Sequence, residues 1–263
     1  MLSFAANLSM LFAEVDFVAR FARASRAGFR AVECQFPYAY SKDALMEQLR
    51  QHQLVLVLHN LPAGDWSGGD RGLACLPDRV GEFQEGLGVA IEYAVALGCT
   101  RLNCLSGIAP AGMDREVLRD TFVDNLRFAA GELKRRGIAL LIEPLNSRDV
   151  PGFFLGTTQQ AVEIIRDAGA DNLYLQFDVY HTRIMEGDII ASFERALGHI
   201  AHVQIADDPG RREPGTGAID FGAVFQALER ASYTGWVGCE YLPSGTTEDS
   251  LAWLDAYRSS RTD

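Results

Sequence analysis

Cationic side chains are scarce in this chain: 24 Lys and Arg stand against 35 Asp and Glu, a formal net charge of −11. Such a surface repels polyanions, so nucleic acid is not an expected partner and a small solute is. Cysteine is also sparse. The five present (Cys34, Cys75, Cys99, Cys104 and Cys239) are odd in number and form no CxxC pair, which argues against a disulfide framework and for reduced, packed thiols of a cytoplasmic protein. No run reaches the roughly 18 uncharged apolar residues that a membrane span needs, so no membrane partner is expected either. The apolar start MLSFAANLSMLFAEVDF lacks a basic leader region and meets Glu14 and Asp16 early, unlike a signal peptide. A Gly-rich phosphate turn is missing after the first strand, where the sequence reads ANLSML, and this disfavours a doubly wound nucleotide-binding sheet. The GTG of 215–217 follows a late strand and lacks a third glycine.

What is present is an alternation of short apolar runs with helical patterns over 263 residues, close to the size of one (β/α)8 TIM barrel. No composition shift marks a boundary, so residues 1–263 are expected to form one domain. Strands are predicted at 4–7, 30–36, 54–60, 101–107, 138–146, 173–181, 201–207 and 235–242. Helices are predicted at 14–27, 41–52, 79–97, 114–136, 157–168, up to about 197, 221–231 and 247–257, with Ser41 and Thr157 as N-caps. The Gly-rich loop LPAGDWSGGDRGLACLP after the third strand is long enough to be a lid, with Trp66 as the residue able to exclude water.

The segment IALLIEPLN sets the theme: a buried apolar strand delivers a carboxylate, Glu143, at its end. Nearly every strand ends this way, in Asn7, Glu33, His59, Asn103, Glu143, Asp178, Gln204 and Glu240. Any one of them alone reads as a cap or a loop contact. The C-terminal face of a barrel, however, is where active sites form, and a closed sheet would converge Glu143, Asp178, Gln204 and Glu240 on one point. Three adjacent carboxylates raise one another's pKa unless a cation sits between them. An all-oxygen set suits a divalent metal ion such as Mg2+ or Mn2+, and zinc also accepts carboxylates. His181 lies near the same strand end.

Two facing carboxylates can shift a carbonyl between neighbouring carbons, one removing a proton beside the C=O and the other returning one through an enediolate. An anionic 2-oxo acid would also need a positive anchor, for which Arg211 or Arg212 in the loop after the seventh strand is the candidate.

ANLSMLF, HNLPAGDW, IEPLN, QFDVYH, HVQIAD followed by EPGTG, and GWVGCEY together resemble the hydroxypyruvate isomerases, within the xylose isomerase-like barrels. The resemblance runs from Ala6 to about Tyr257. It implies a TIM barrel that interconverts hydroxypyruvate and 2-hydroxy-3-oxopropanoate (tartronate semialdehyde), with Glu143 and Glu240 as acid/base pair. It implies Glu143, Asp178, Gln204 and Glu240 as metal positions, and His181 and Arg211 as substrate contacts. Gln204 stands where related ketose epimerases carry a histidine ligand, and a neutral amide is the weaker ligand. The 2-oxo-tetronate isomerases share ANLSM, HVQIA and GCEY and form the alternative. Ketose 3-epimerases and abasic-site endonucleases share the barrel, the latter with several zinc ions and a basic groove. A silent sugar-acid binder is a further reading, although two facing glutamates would be a desolvation liability without chemistry. Homo-oligomerisation is left open.

Overall fold

In the computed structural model, which describes residues 1–259, eight parallel strands close into a barrel in the order β1 to β8. They are β1 (Ser3–Asn7), β2 (Ala31–Cys34), β3 (Val55–Asn60), β4 (Arg101–Cys104), β5 (Ala139–Ile142), β6 (Leu173–Asp178), β7 (Ile200–Ile205) and β8 (Trp236–Cys239). The helices are α1 (Phe17–Arg26), α2 (Lys42–Gln51), α3 (Val80–Leu97), α4 (Arg115–Lys134), α5 (Thr158–Ala168), α6 (Val179–Glu186), α7 (Ile189–Ala196), α8 (Phe221–Arg230) and α9 (Ala252–Ser259). The TIM-barrel expectation is met. None of these helices is long and apolar enough to cross a membrane.

Helix ends follow the side chains that can satisfy free backbone N–H groups. Ser41 accepts from Ala44 N at 3.2 Å, and Thr157 accepts from Gln160 N at 3.2 Å, as the sequence implies. The fourth, fifth and eighth strands end earlier than expected, at Cys104, Ile142 and Cys239, and the last α-helix begins at Ala252 rather than at residue 247; two further boundaries are corrected for a local reason. The first helix begins at Phe17 rather than at residue 14, because Phe12 takes a left-handed φ of 59° and the chain before Asp16 runs in turns. The sixth strand stops at Asp178 instead of running through residue 181. The Asp178 carboxylate accepts from Tyr180 N at 2.7 Å and His181 N at 3.1 Å, so it caps α6, and His181 enters from the first turn of that helix. Both α6 and α7 lie between β6 and β7.

Side chains alternate across a strand, so the residues two before the strand-end polar set face the same lumen. On β1, β2, β3 and β5 these are Ala5, Ala31, Val57 and Leu141, which cluster together. On β6, β7 and β8 they are Gln176, His202 and Gly238. On β4 the corresponding residue is Arg101, so the layer below the mouth is apolar along β1, β2, β3 and β5 and polar along β4, β6 and β7. All five cysteines are buried and free, as expected of packed thiols.

Candidate active site

Asn7, Glu33, His59, Asn103, Glu143, Asp178, Gln204 and Glu240 are all buried at the barrel mouth. They separate into two groups. Glu33 reaches across the lumen from β2: its carboxylate accepts from Asn7 Nδ2 at 3.0 Å and Gln204 Nε2 at 2.7 Å, and meets His202 Nε2 at 2.7 Å. Gly238 makes room for it, since a Cβ there would lie 2.4 Å from the Glu33 oxygens. Glu33 is therefore the anchor of a buried network below the reactive groups.

Above it sit Glu143, Asp178, Glu240, His181 and Arg211. Glu143 accepts from Asn103 Nδ2 at 2.8 Å. Glu240 accepts from Asn7 Nδ2 and Gln35 Nε2, each at 3.1 Å, and from Arg211. Asn7 thereby ties Glu240 to Glu33. The Arg211 guanidinium also lies 3.7 Å from Asp178 Oδ2 and 5.4 Å from the centre of the Tyr180 ring. Burial pushes the Glu143 carboxyl well above the usual carboxylate range, and the neighbouring Glu240 and Asp178 charges push it further. Burial likewise raises Asp178 to about 7 and Glu240 above its ordinary value, with Arg211 opposing the rise in both.

Ligand atoms of Glu143, Asp178 and His181 lie within 4.8 Å of one another, a geometry that could hold a metal ion. Among the described residues Asp178 Oδ2 and His181 Nε2 have no hydrogen-bond partner, although both are buried. The mutual repulsion of the acids and the orphaned Asp178 oxygen fit a divalent cation. The histidine fits it less well. His181 Nδ1 accepts from the backbone N–H of Asn146 at 3.1 Å, and burial holds the ring neutral, with the Arg211 charge acting the same way. The single ring proton then belongs on Nε2, which makes that atom a donor aimed into the cavity. Gln204 sits apart: with Nε2 turned to Glu33, its Oε1 accepts from Gln176 Nε2 at 2.6 Å.

Glu143, His181, Arg211 and Glu240 line one cavity of about 200 Å3, with Gln35, Asn60, Trp66 and Arg71 among the other walls. Arg212 is elsewhere, donating to the carbonyls of Leu242 at 3.3 Å and Pro243 at 2.9 Å. The loop expected to act as a lid contributes Trp66 and Arg71 to the cavity wall, and the Trp66 ring lies 5.1 Å from that of Phe36. Sequence reasoning missed Gln35, Asn60 and Arg71 as cavity residues and His202 and Gln176 beneath them. The period-two rule on β6 and β7 could have found the last two, because they precede Asp178 and Gln204 by two residues.

The family model for xylose isomerase-like TIM barrels matches residues 21–257. A protein of Escherichia coli named hydroxypyruvate isomerase is 51% identical over 98% of this chain and 100% of its own length. One of Cupriavidus necator named 2-oxo-tetronate isomerase is 43% identical over 97% of this chain and 98% of its own. A solved structure from Brucella melitensis, described as an AP endonuclease of family 2, superimposes with a TM-score of 0.96 at 44% identity, covering 98% of this chain and 99% of that one. The chain belongs to the hydroxypyruvate isomerase family of xylose isomerase-like TIM barrels.

Proposed function

We propose that this protein is an intramolecular oxidoreductase that interconverts hydroxypyruvate and 2-hydroxy-3-oxopropanoate. The observation that carries this reading is the placement of two buried glutamates, Glu143 after β5 and Glu240 after β8, on the walls of one small cavity. One removes a proton from the carbon beside the carbonyl, and the other returns a proton to the former carbonyl carbon. Their roles exchange when the reaction runs backward. Burial raises both carboxyl pKa values above the ordinary range, which makes each glutamate a stronger base than a free carboxylate. His181 donates from Nε2 to an oxygen of the substrate, and Arg211 offers positive charge at the same end.

Glu143 and Asp178 would hold a divalent metal ion, with Glu240 beside them; Gln204, the fourth position that the resemblance implies, is engaged by Glu33 and Gln176 instead. Mg2+ or Mn2+ is the proposed ion, since carboxylate oxygens are hard ligands. When bound, such an ion stabilises negative charge on the enediolate oxygens. The cavity volume supports a small-molecule substrate, and the net charge of −11 speaks against a nucleic acid one. The 51% identity to the hydroxypyruvate enzyme against 43% to the tetronate enzyme favours the three-carbon acid. The deciding assay compares turnover of hydroxypyruvate and of the four-carbon 2-oxo acid, each with and without EDTA. Turnover of neither substrate, with metal supplied, would overturn the proposal.

A further inference from the structure

A 2-oxo acid brings its own negative charge into a cavity lined by two carboxyl groups, Glu143 and Glu240, with Asp178 close by. Arg71 and Arg211 are the cationic side chains on the cavity wall. Arg211 is already engaged by Glu240 and faces Asp178, so its charge is largely met within the protein. Arg71 differs. Among the described residues it forms no ion pair. The acid beside it in sequence, Asp70, is drawn away by Arg79 Nη1 and Asp65 N, each at 2.7 Å from Asp70 Oδ2.

Arg71 is nonetheless held in place. Its guanidinium lies 4.0 Å from the centre of the Trp66 ring, and Nη1 donates to the carbonyls of Trp66 at 3.1 Å and Asp70 at 2.6 Å. No partner meets its Nε or Nη2 among the described residues, which leaves two donors of the planar fork for a ligand. The backbone on either side is fixed as well. Gly72 donates to Ala63 O at 3.0 Å and adopts a φ of 110°, and a Cβ there would come within 2.3 Å of Leu105 O. Gly64 passes so close to Asp70 that a Cβ would lie 2.2 Å from its carboxylate. A half-buried guanidinium, stacked, held and without an acidic partner at the edge of a reactive cavity, is a site for an anion.

We infer that Arg71 takes the carboxylate of the substrate, an assignment that rests on the 2-oxo-acid reading above. Arg211 then serves the reacting end, and the Trp66 loop is a specificity element that carries the anion-binding group.

The test uses the full-length wild type, Arg71→Met and Arg71→Lys, with D-glycerate as an inert probe that keeps the carboxylate and lacks the carbonyl. Arg71→Met is expected to raise KM for hydroxypyruvate, and the calorimetric Kd for D-glycerate, by the same ~10 to 100-fold, with kcat changed far less. Arg71→Lys keeps the charge without the fork and should fall between. A loss of kcat at unchanged KM and unchanged D-glycerate affinity would show a merely structural loop residue and overturn the inference. If the wild type turns over neither 2-oxo acid, the isomerase reading fails, while D-glycerate calorimetry still reads Arg71. Equal affinity in wild type and Arg71→Met, or no binding to either, overturns the assignment.

Discussion

Arg211 donates to the carboxylate of Glu240, one of the two glutamates proposed to move the proton, and its guanidinium stands 3.7 Å from Asp178. Among the described residues no other Lys or Arg forms an ion pair with Glu143, Asp178 or Glu240. The charge of a single arginine therefore balances part of a three-carboxyl cluster.

Replacing that arginine should impair the reacting end. Arg211→Met is expected to lower kcat/KM on hydroxypyruvate by roughly 10 to 100-fold, and by a similar factor on a neutral ketose, because Glu240 loses its partner whatever the substrate. Arg212→Met, whose guanidinium donates to the backbone carbonyls of Leu242 and Pro243, should leave both nearly unchanged. A loss confined to the 2-oxo acid would return the carboxylate anchor to Arg211.

Glu143→Gln and Glu240→Gln keep size and an oxygen but remove the base. Each should reduce kcat by at least ~10²-fold while leaving the fold intact by circular dichroism. Near-normal turnover in either variant would remove that glutamate from the proton transfer.

Asp178 supplies a pH dependence of stability. Burial raises its pKa in the folded protein to about 7 from an ordinary 3.8, so the folded state holds this proton more tightly than the unfolded chain does. The corresponding stability is full below the ordinary value and is lost as pH rises through about 7. The Tm of EDTA-treated protein should fall from about pH 5 to about pH 8, and Asp178→Asn should flatten that slope. Mn2+ should raise Tm more at the higher pH, where it does not compete with the proton. An equal slope in Asp178→Asn would exclude Asp178 as the source.

The Glu33 and His202 contact, 2.7 Å and fully buried, should be structural. His202→Leu leaves Glu33 short of a hydrogen-bond partner and is expected to cost about 1–3 kcal/mol in urea unfolding. A cost below about 1 kcal/mol would mean that Asn7 and Gln204 satisfy Glu33 by themselves.

By itself the sequence determined the barrel, because apolar strands buried on both faces and separated by capped helices have few ways to close. It also placed a polar residue at the end of each strand, and Glu143, Asp178 and Glu240 could be read directly from runs such as IALLIEP and LYLQFD. Tertiary structure decided which of those residues meet. Glu33 and Glu143 look alike in sequence. Yet Glu33 crosses the lumen into the space Gly238 leaves and becomes a scaffold, while Glu143 stays at the mouth. His181 reads as the tail of a strand until Asp178 caps a helix there, and the Asn146 N–H that fixes its tautomer lies 35 residues away. Arg71 shows the same limit. Among the described residues it has no acidic partner because Arg79, nine residues beyond Asp70, draws that acid off, a choice among neighbouring charges that the sequence pattern does not encode.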